Sequence, residues 1–288
     1  MKWFDYAAPD SLEQAAELLA RYPEARPLAG GTDLLPQLRA GKRTTPLVVD
    51  VKKIPELSSL TIDEKGALTL GAAVPCYRIY EDERVCARFP ALAELASILG
   101  GIPIQGRASL GGNLCNASPS ADAIPLLMAM HATAETWSTS GARSIPVEDF
   151  CIAPGRSALA PGELLVSIRI PALPPRTAAH YLRFIPRNEM DIAVVGVGVS
   201  LTLSDSVIQT ARIALGAVAP TPILATEAAA SLENQAPTAA AFERAARLAQ
   251  QVTRPISDMR GTAEYRRHLA YVLTRRALEH ALQAAAAS

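Results

Sequence analysis

Cysteine and histidine are scarce in this 288-residue chain and never gather. Four cysteines (Cys76, Cys86, Cys115, Cys151) and four histidines (His131, His180, His268, His280) are dispersed, with no C-x-x-C pair. The chain therefore carries no expected zinc site, iron–sulfur ligand set or disulfide framework of its own, and no metal site is expected in it. Charge of one sign is missing too. Lys+Arg and Asp+Glu both number 28, so no cationic excess exists to hold a phosphate backbone, and nucleic acid is excluded as a partner. No run approaches the about 18 apolar residues of a membrane span. The start, Met1-Lys2-Trp3-Phe4-Asp5, lacks the apolar core of a signal peptide, so a cytoplasmic protein is expected.

Several enzyme signatures fail at one position. Gly196-Val197-Gly198 opens like a dinucleotide fingerprint, but Leu201 stands where the third glycine belongs. Those glycines alternate within an extended stretch and read as a close backbone contact inside a sheet. Gly41-Lys42 resembles the end of a P-loop, yet Pro36 occupies its first glycine position. The segment from Gly106 to Gly111 has one residue too many for a nucleophile elbow. No nucleophilic triad can be assembled.

What is present is an ordinary globular composition, 49% hydrophobic and 19% charged, with length enough for two domains at about 100–200 residues each. Asp10-Ser11-Leu12-Glu13 resembles a capping box ahead of a helix with Leu12, Ala15, Ala16 and Leu19 on one face. Helical spacing continues over 34–40, and 47–51 is β-branched and strand-like. From Leu57 the texture becomes strand, turn, strand, with a hairpin about Lys65-Gly66. Helices are expected over 90–99, stopped by Gly100-Gly101, and over 122–130, capped near Ser120; strands are expected over 133–139 and 164–170. The proline-rich residues 171–175 read as a linker. A long hairpin (192–203 and 208–217) and an Ala/Arg-rich helical remainder follow. The arginines of that remainder (Arg244, Arg247, Arg260, Arg266, Arg267, Arg275, Arg276) read first as a solvated face and second as a partner surface.

Two glycine pairs carry the chemistry. The first, Pro27-Leu28-Ala29-Gly30-Gly31-Thr32-Asp33-Leu34-Leu35, runs from strand through a Gly-Gly turn into a helix, with Asp33 placed to cap it. Such a turn brings backbone N–H groups close to an anion at a helix start; alone, it reads equally as a plain connection. The second, from Ser109-Leu110-Gly111-Gly112-Asn113 through Asn116 to Asp122, surrounds glycine with small donors and acceptors. That density suits a pyrophosphate and, at Asp122, a ribose hydroxyl; a solvated loop is the alternative.

Together, AGGTDLL and SLGGNLCNASPSADAIPLLMAM resemble the FAD-binding domain of the xanthine dehydrogenase and carbon monoxide dehydrogenase flavoprotein family. Glu163 to Pro171, Arg187-Asn188-Glu189-Met190-Asp191-Ile192-Ala193 and Ala214 to Pro222 extend the resemblance in order over the whole chain. It implies an α+β protein: a two-subdomain FAD-binding domain of the vanillyl-alcohol-oxidase (PCMH) type over 1–174 (subdomains about 1–56 and 57–174), then a C-terminal α+β domain over 175–288 with an antiparallel sheet and helices. Carried onto this sequence, it implies that Leu28, Ala29, Gly30, Gly31, Thr32, Asp33 and Leu34 wrap the pyrophosphate. Leu99 and Gly100 would lie along the flavin, Ser109, Gly111, Gly112, Asn113 and Asn116 would bind phosphate and ribitol, and Asp122 would meet the adenosine ribose. Leu165 would pack on a ring, and Arg183 stands where relatives often place a lysine.

The implied function is electron relay: FAD bound here would take electrons from two iron–sulfur clusters of a small partner subunit. A large molybdenum–pterin subunit would oxidise the substrate, and an external acceptor would take the electrons, in a dimer of heterotrimers. No catalytic residue is expected in this chain under that reading. A stand-alone flavin oxidoreductase would need its own group over the flavin, with Tyr181 and Arg187 as candidates. A non-enzymatic FAD-binding assembly module is the third reading.

Overall fold

Strand β1 (Asp5–Ala7), helix α1 (Leu12–Arg21), β2 (Arg26–Leu28), α2 (Leu34–Arg39) and β3 (Leu47–Asp50) build a parallel three-stranded sheet in the order β1-β3-β2. The computed structural model describes every residue except Glu189 and Ser288, so Glu189 of the R-N-E-M-D segment lies outside the described residues. Central strand β3 is buried at all four positions, and Ala15 and Leu19 of α1 join Val49 and Leu57 in one core. The α1 cap sits one residue later than the sequence pattern placed it. Ser11 is extended (φ −136°, ψ 159°) and its Oγ accepts from Gln14 N. Gln14 Oε1 accepts from Asp10 N at 3.5 Å rather than from Ser11 N, so Ser11 caps the helix without a full capping box. Asp33 precedes α2 but has helical backbone (φ −102°, ψ −46°) and makes no capping bond; a cap side chain reaches the N2 and N3 amides from extended backbone.

After α3 (Pro55–Ser58), an antiparallel sheet takes over. Its strands β4 (Leu60–Ile62), β5 (Leu68–Gly71), β6 (Thr133–Ser138), β7 (Gly141–Pro146) and β10 (Leu164–Ile170) lie in the order β4-β5-β10-β6-β7. Between β5 and β6 run α4 (Cys76–Tyr80), α5 (Glu83–Arg88), α6 (Pro90–Ile98), α7 (Ile102–Gln105), α8 (Leu110–Asn116) and α9 (Ala123–Ala129). Helix α10 (Val147–Phe150) and the ribbon β8 (Cys151–Ala153) and β9 (Arg156–Ser157) lead into β10. All seven residues of α9 are buried. Its start is not capped by Ser120 or Asp122; Asn113 Oδ1, from α8, accepts from Ala123 N at 3.1 Å.

Residues 171–175 contain no regular element. Beyond them, β11 (Thr177–Phe184), β12 (Val195–Ser204), β13 (Val207–Gly216) and β14 (Ile223–Leu224) form a second antiparallel sheet in chain order. Helices α11 (Thr226–Ala230), α12 (Ala239–Gln251) and α13 (Ala263–Ala287) complete it. Ala270, Leu273, Ala277, Leu278 and Ala281 form the buried stripe of α13 at helical spacing and join the valines of β12 in one core. The small stripe lets α13 lie close on β11 and β12. Arg266 departs from the solvated arginine face. It is buried, with Nη1 donating to Val194 O at 2.6 Å and Nη2 to Asp258 at 2.7 Å.

Candidate functional site

Strand β2 ends at Leu28, and the chain must turn at once to start α2 at Leu34. Gly31 makes that turn with φ +74°, a conformation open to glycine at no steric cost. Gly30 is needed for a different reason: a Cβ there would stand 1.8 Å from Arg107 O. The turn is thus pressed against residues 107–108, and Arg107 Nε donates to Gly30 O at 2.9 Å. Behind it, Lys52 Nζ donates to Ala29 O at 3.1 Å while paired with Asp50 at 2.7 Å.

The second glycine pair is not a turn. Ser109 is the N-cap of α8, its Oγ accepting from Gly112 N at 3.0 Å, so Gly111 and Gly112 form the helix's first turn. The two glycines do separate jobs. A Cβ at Gly111 would lie 2.4 Å from Ala72 O, so that glycine lets α8 pack on the chain after β5. At Gly112 a Cβ would approach only Ser109 Oγ, at 3.1 Å, and Gly112 faces the cleft described next.

The two glycine segments, far apart in sequence, line one cleft of about 90 Å³. Residues 27–34 form one wall and Leu99, Ala108, Ser109, Gly112 and Asn113 the other. It shares Pro27, Ala29, Asp33, Leu34 and Gly112 with a cavity of about 760 Å³ that Gly111, Asn116 and Leu165 also line. Partial burial raises the pKa of the Asp33 carboxyl above its ordinary value. Gln37 Nε2 donates to Asn116 Oδ1 at 3.1 Å, tying α2 to α8 across the larger cavity.

Gly100, Asp122 and Arg183 line neither space. Gly100 turns the chain after Leu99 with φ +68°. Asp122 and Arg183 meet each other: Arg183 Nη1 donates to Asp122 Oδ2 at 2.8 Å, and Tyr181 donates its hydroxyl to Asp122 Oδ1 at 2.7 Å. Burial raises the Asp122 pKa against the pull of Arg183 and Tyr181, and burial beside that carboxylate raises Tyr181 well above the usual phenol range. A phenol so engaged is a poor acid and its hydroxyl is already committed to Asp122, and Arg187 is solvent-facing with Nη2 on Met190 O. Neither supports the stand-alone oxidase reading.

Three residues missed by sequence reasoning enter the larger cavity: Arg26, Arg43 and Arg156. The Nε of Arg26 is buried without a hydrogen-bond partner, and burial, followed by the charge of Arg43, lowers its pKa. A guanidinium lodged beside another with an orphaned donor fits an anionic or hydrogen-bonding ligand. No sequence signal marks these arginines, because they share neither a motif nor a periodicity. The fit to FAD rests on that donor set, on the open face at Gly112 and on a narrow cleft widening into a nucleotide-sized cavity. Among the described residues no three His, Cys, Asp or Glu side chains gather as a metal site, and no helix is long and apolar enough to cross a membrane.

Comparison with known proteins matches two family models along the chain. The family described as "FAD binding domain in molybdopterin dehydrogenase" matches residues 2–173. "CO dehydrogenase flavoprotein C-terminal domain" matches residues 180–281. The chain is 32% identical to the xanthine dehydrogenase FAD-binding subunit of Escherichia coli O157:H7, covering 98% of each. It is 35% identical to the carbon monoxide dehydrogenase medium chain of Afipia carboxidovorans, covering 96% of each. Among solved structures, a chain of the reconstituted CO dehydrogenase from Oligotropha carboxidovorans superposes with a TM-score of 0.94 at 32% identity, covering 98% of both chains. Quinoline 2-oxidoreductase from Pseudomonas putida 86 superposes with a TM-score of 0.92 at 31% identity, covering 99% of both.

Proposed function

Because the chain belongs to the family of FAD-binding subunits of the xanthine and carbon monoxide dehydrogenases, we propose that it seats FAD across the cleft between β2 and α8. The observation that carries this is the convergence of both glycine segments on one cleft continuous with a larger cavity. Residues 28–34 and Ser109, Gly112 and Asn113 take the pyrophosphate, while Gly111, which the resemblance also gives as cofactor-binding, seats α8 and lines the adjoining cavity. Asn116 and Leu165 line the adjoining cavity for the rest of the cofactor, and Leu99 and Gly100 border the flavin side. Asp122 and Arg183, given by the resemblance as cofactor-binding, act at the edge of that site. Residues 1–174 form the FAD-binding domain, subdivided about residues 56 and 57, and residues 175–288 the C-terminal domain.

Bound there, FAD would supply the redox chemistry between iron–sulfur clusters of a small subunit and an external acceptor. The chain's own residues bind and orient. Gly112 leaves room for phosphate oxygens, and the Lys52–Ala29 bond fixes the turn. A large molybdenum–pterin subunit oxidises the substrate, and the assembly is a dimer of heterotrimers. The four free thiols suit the reducing cytoplasm.

The test is to purify the chain with its partner subunits and record the visible spectrum during anaerobic addition of xanthine or carbon monoxide, the substrates named for the relatives. A flavin spectrum is expected that bleaches only when the partners are present. A complex without flavin, or substrate oxidation by this chain alone, would refute the proposal.

A further inference from the structure

The loop after α6 lines the cleft through Leu99, yet its anchor comes from 85 positions further along the chain. Arg183, on β11 of the C-terminal sheet, splits its guanidinium between two partners of the preceding domain. Nη1 donates to Asp122 Oδ2 at 2.8 Å and Nη2 to Ile98 O at 2.7 Å. Ile98 is the last residue of α6, so its carbonyl is one of those a helix end leaves without an internal partner. A cation there also meets the negative end of the helix. The pair is sheltered, with side chains only 8% and 13% exposed for Arg183 and Asp122, where a paired charge is held firmly and an unpaired one is costly.

The rest of β11 is fitted to the same contact. Tyr181 steadies Asp122 from its second oxygen. It has space only because Gly196 on the paired strand has no side chain; a Cβ there would lie 2.5 Å from the Tyr181 hydroxyl. One residue earlier, His180 Nδ1 lies 3.8 Å from Glu94, one turn before Ile98 on α6. Strand β11 thus approaches α6 at two levels, and the hydrogen bond between them, from Arg183, ends one residue short of the cleft wall.

We infer that Arg183 is a positioning residue: from the C-terminal domain it fixes the loop of residues 98–101, and so sets how tightly the cleft holds FAD. The inference rests on the reading that FAD lies against Leu99. A planar guanidinium with two donors can serve a carboxylate and a carbonyl in one fixed geometry; a lysine offers one nitrogen on a flexible stem. The arginine at this position is thus the feature that ties the loop, beyond supplying a charge for Asp122.

The substitution Arg183→Lys keeps the charge beside Asp122 and avoids orphaning it, so the chain is expected to fold and to associate with its partners. Two measurements separate the outcomes. In the full chain stripped of FAD, hydrogen exchange at residues 99–105 should accelerate by about tenfold, as expected for loss of a charge-assisted bond, while the β12–β13 amides stay unchanged. In the complex with its partner subunits, the FAD dissociation constant should rise by about the same factor. Unchanged exchange overturns the inference whether or not affinity falls, because weaker binding with a fixed loop would mean that Arg183 acts on FAD directly. Faster exchange with unchanged affinity overturns it too, since the loop would then be irrelevant to retention. Asp122→Asn, which leaves the Ile98 contact available, should disturb residues 99–105 less than Arg183→Lys, and the reverse order overturns it. A wild-type complex that takes up no FAD would refute the proposed function instead, and the exchange measurement would still report on the anchor.

Discussion

Glu163 stands where the wall of the larger cavity becomes strand β10, and its carboxylate collects every donor within reach. Arg143 approaches it with Nε and Nη2 at 2.6 Å each, Thr136 Oγ1 donates at 2.5 Å and Ala160 N at 2.7 Å. Burial pushes the carboxyl up, but the bonds from Arg143, Thr136 and Ala160 outweigh it and hold the pKa at about 2. A carboxylate whose pKa is depressed by folding stabilises the native state at any pH above its unfolded value. That contribution fades as pH falls from about 4.5, the ordinary value, through about 2. With Arg143 half exposed, solvent screening reduces it to roughly 2 kcal/mol. Glu163→Gln should therefore lower stability by about that amount at pH 7, with the gap to wild type closing as the solution is acidified into this window. Denaturant melts at pH 7 and pH 3 check this, and a constant gap would remove the ion pair as its cause.

At the scale of elements, the first turn of α8 separates architecture from binding. Gly111 has a backbone carbonyl, Ala72 O, where its Cβ would go, so Gly111→Ala must displace either α8 or the chain after β5. Such overpacking costs roughly 1–3 kcal/mol, and a lowered melting temperature of the FAD-free chain should report it. Gly112 has only a hydroxyl near by. Gly112→Val should therefore leave the melting temperature of the FAD-free chain close to wild type while weakening FAD binding by about tenfold or more, by filling the about 90 Å³ cleft. Flavin content of the two purified variants distinguishes them, and a Gly112→Val chain with full flavin would displace the pyrophosphate from this helix.

This division was only half legible in the sequence. The two glycine pairs and the elements flanking them follow from local pattern, as does the close contact read at Gly196-Val197-Gly198. Their roles did not follow, because Ala72, Arg107 and Pro125 are brought to Gly111, Gly30 and Gly198 by tertiary packing. The caps failed for a related reason. Asp33 has a capping side chain but helical backbone, which residue type cannot announce, and Ser120 lies two residues before the N-cap position with its hydroxyl on Ser118. Arg26 and Arg183 were invisible as partners, since a guanidinium's neighbours lie up to 85 positions away.

At the scale of the whole molecule, the two sheet systems meet along α9, and that contact sets the geometry around the cleft. The C-terminal end of α9 offers carbonyls to the far sheet: Ser200 Oγ donates to Ala129 O at 2.8 Å and Arg212 Nε to Met128 O at 3.0 Å. Arg212 also pairs with Glu148. At the other end, Ala217 N donates to Pro119 O at 2.6 Å, so β12 and β13 hold α9 along its length. Close approach is possible because Gly198 faces the backbone of Pro125; a Cβ would stand 2.4 Å from the Pro125 carbonyl carbon and oxygen. Gly198→Ala must therefore part the domains by a fraction of an ångström while leaving the cores on either side intact. Since α9 follows Asp122, the shift also pulls the carboxylate that Arg183 grasps. The expected result is a stability loss of roughly 1–3 kcal/mol and faster proteolysis in residues 171–175, with weaker FAD retention. These effects should appear together, because one interface governs all three. Loss of stability without linker cleavage would mean that the damage stays inside the C-terminal sheet and that the interface is not what holds the cleft closed.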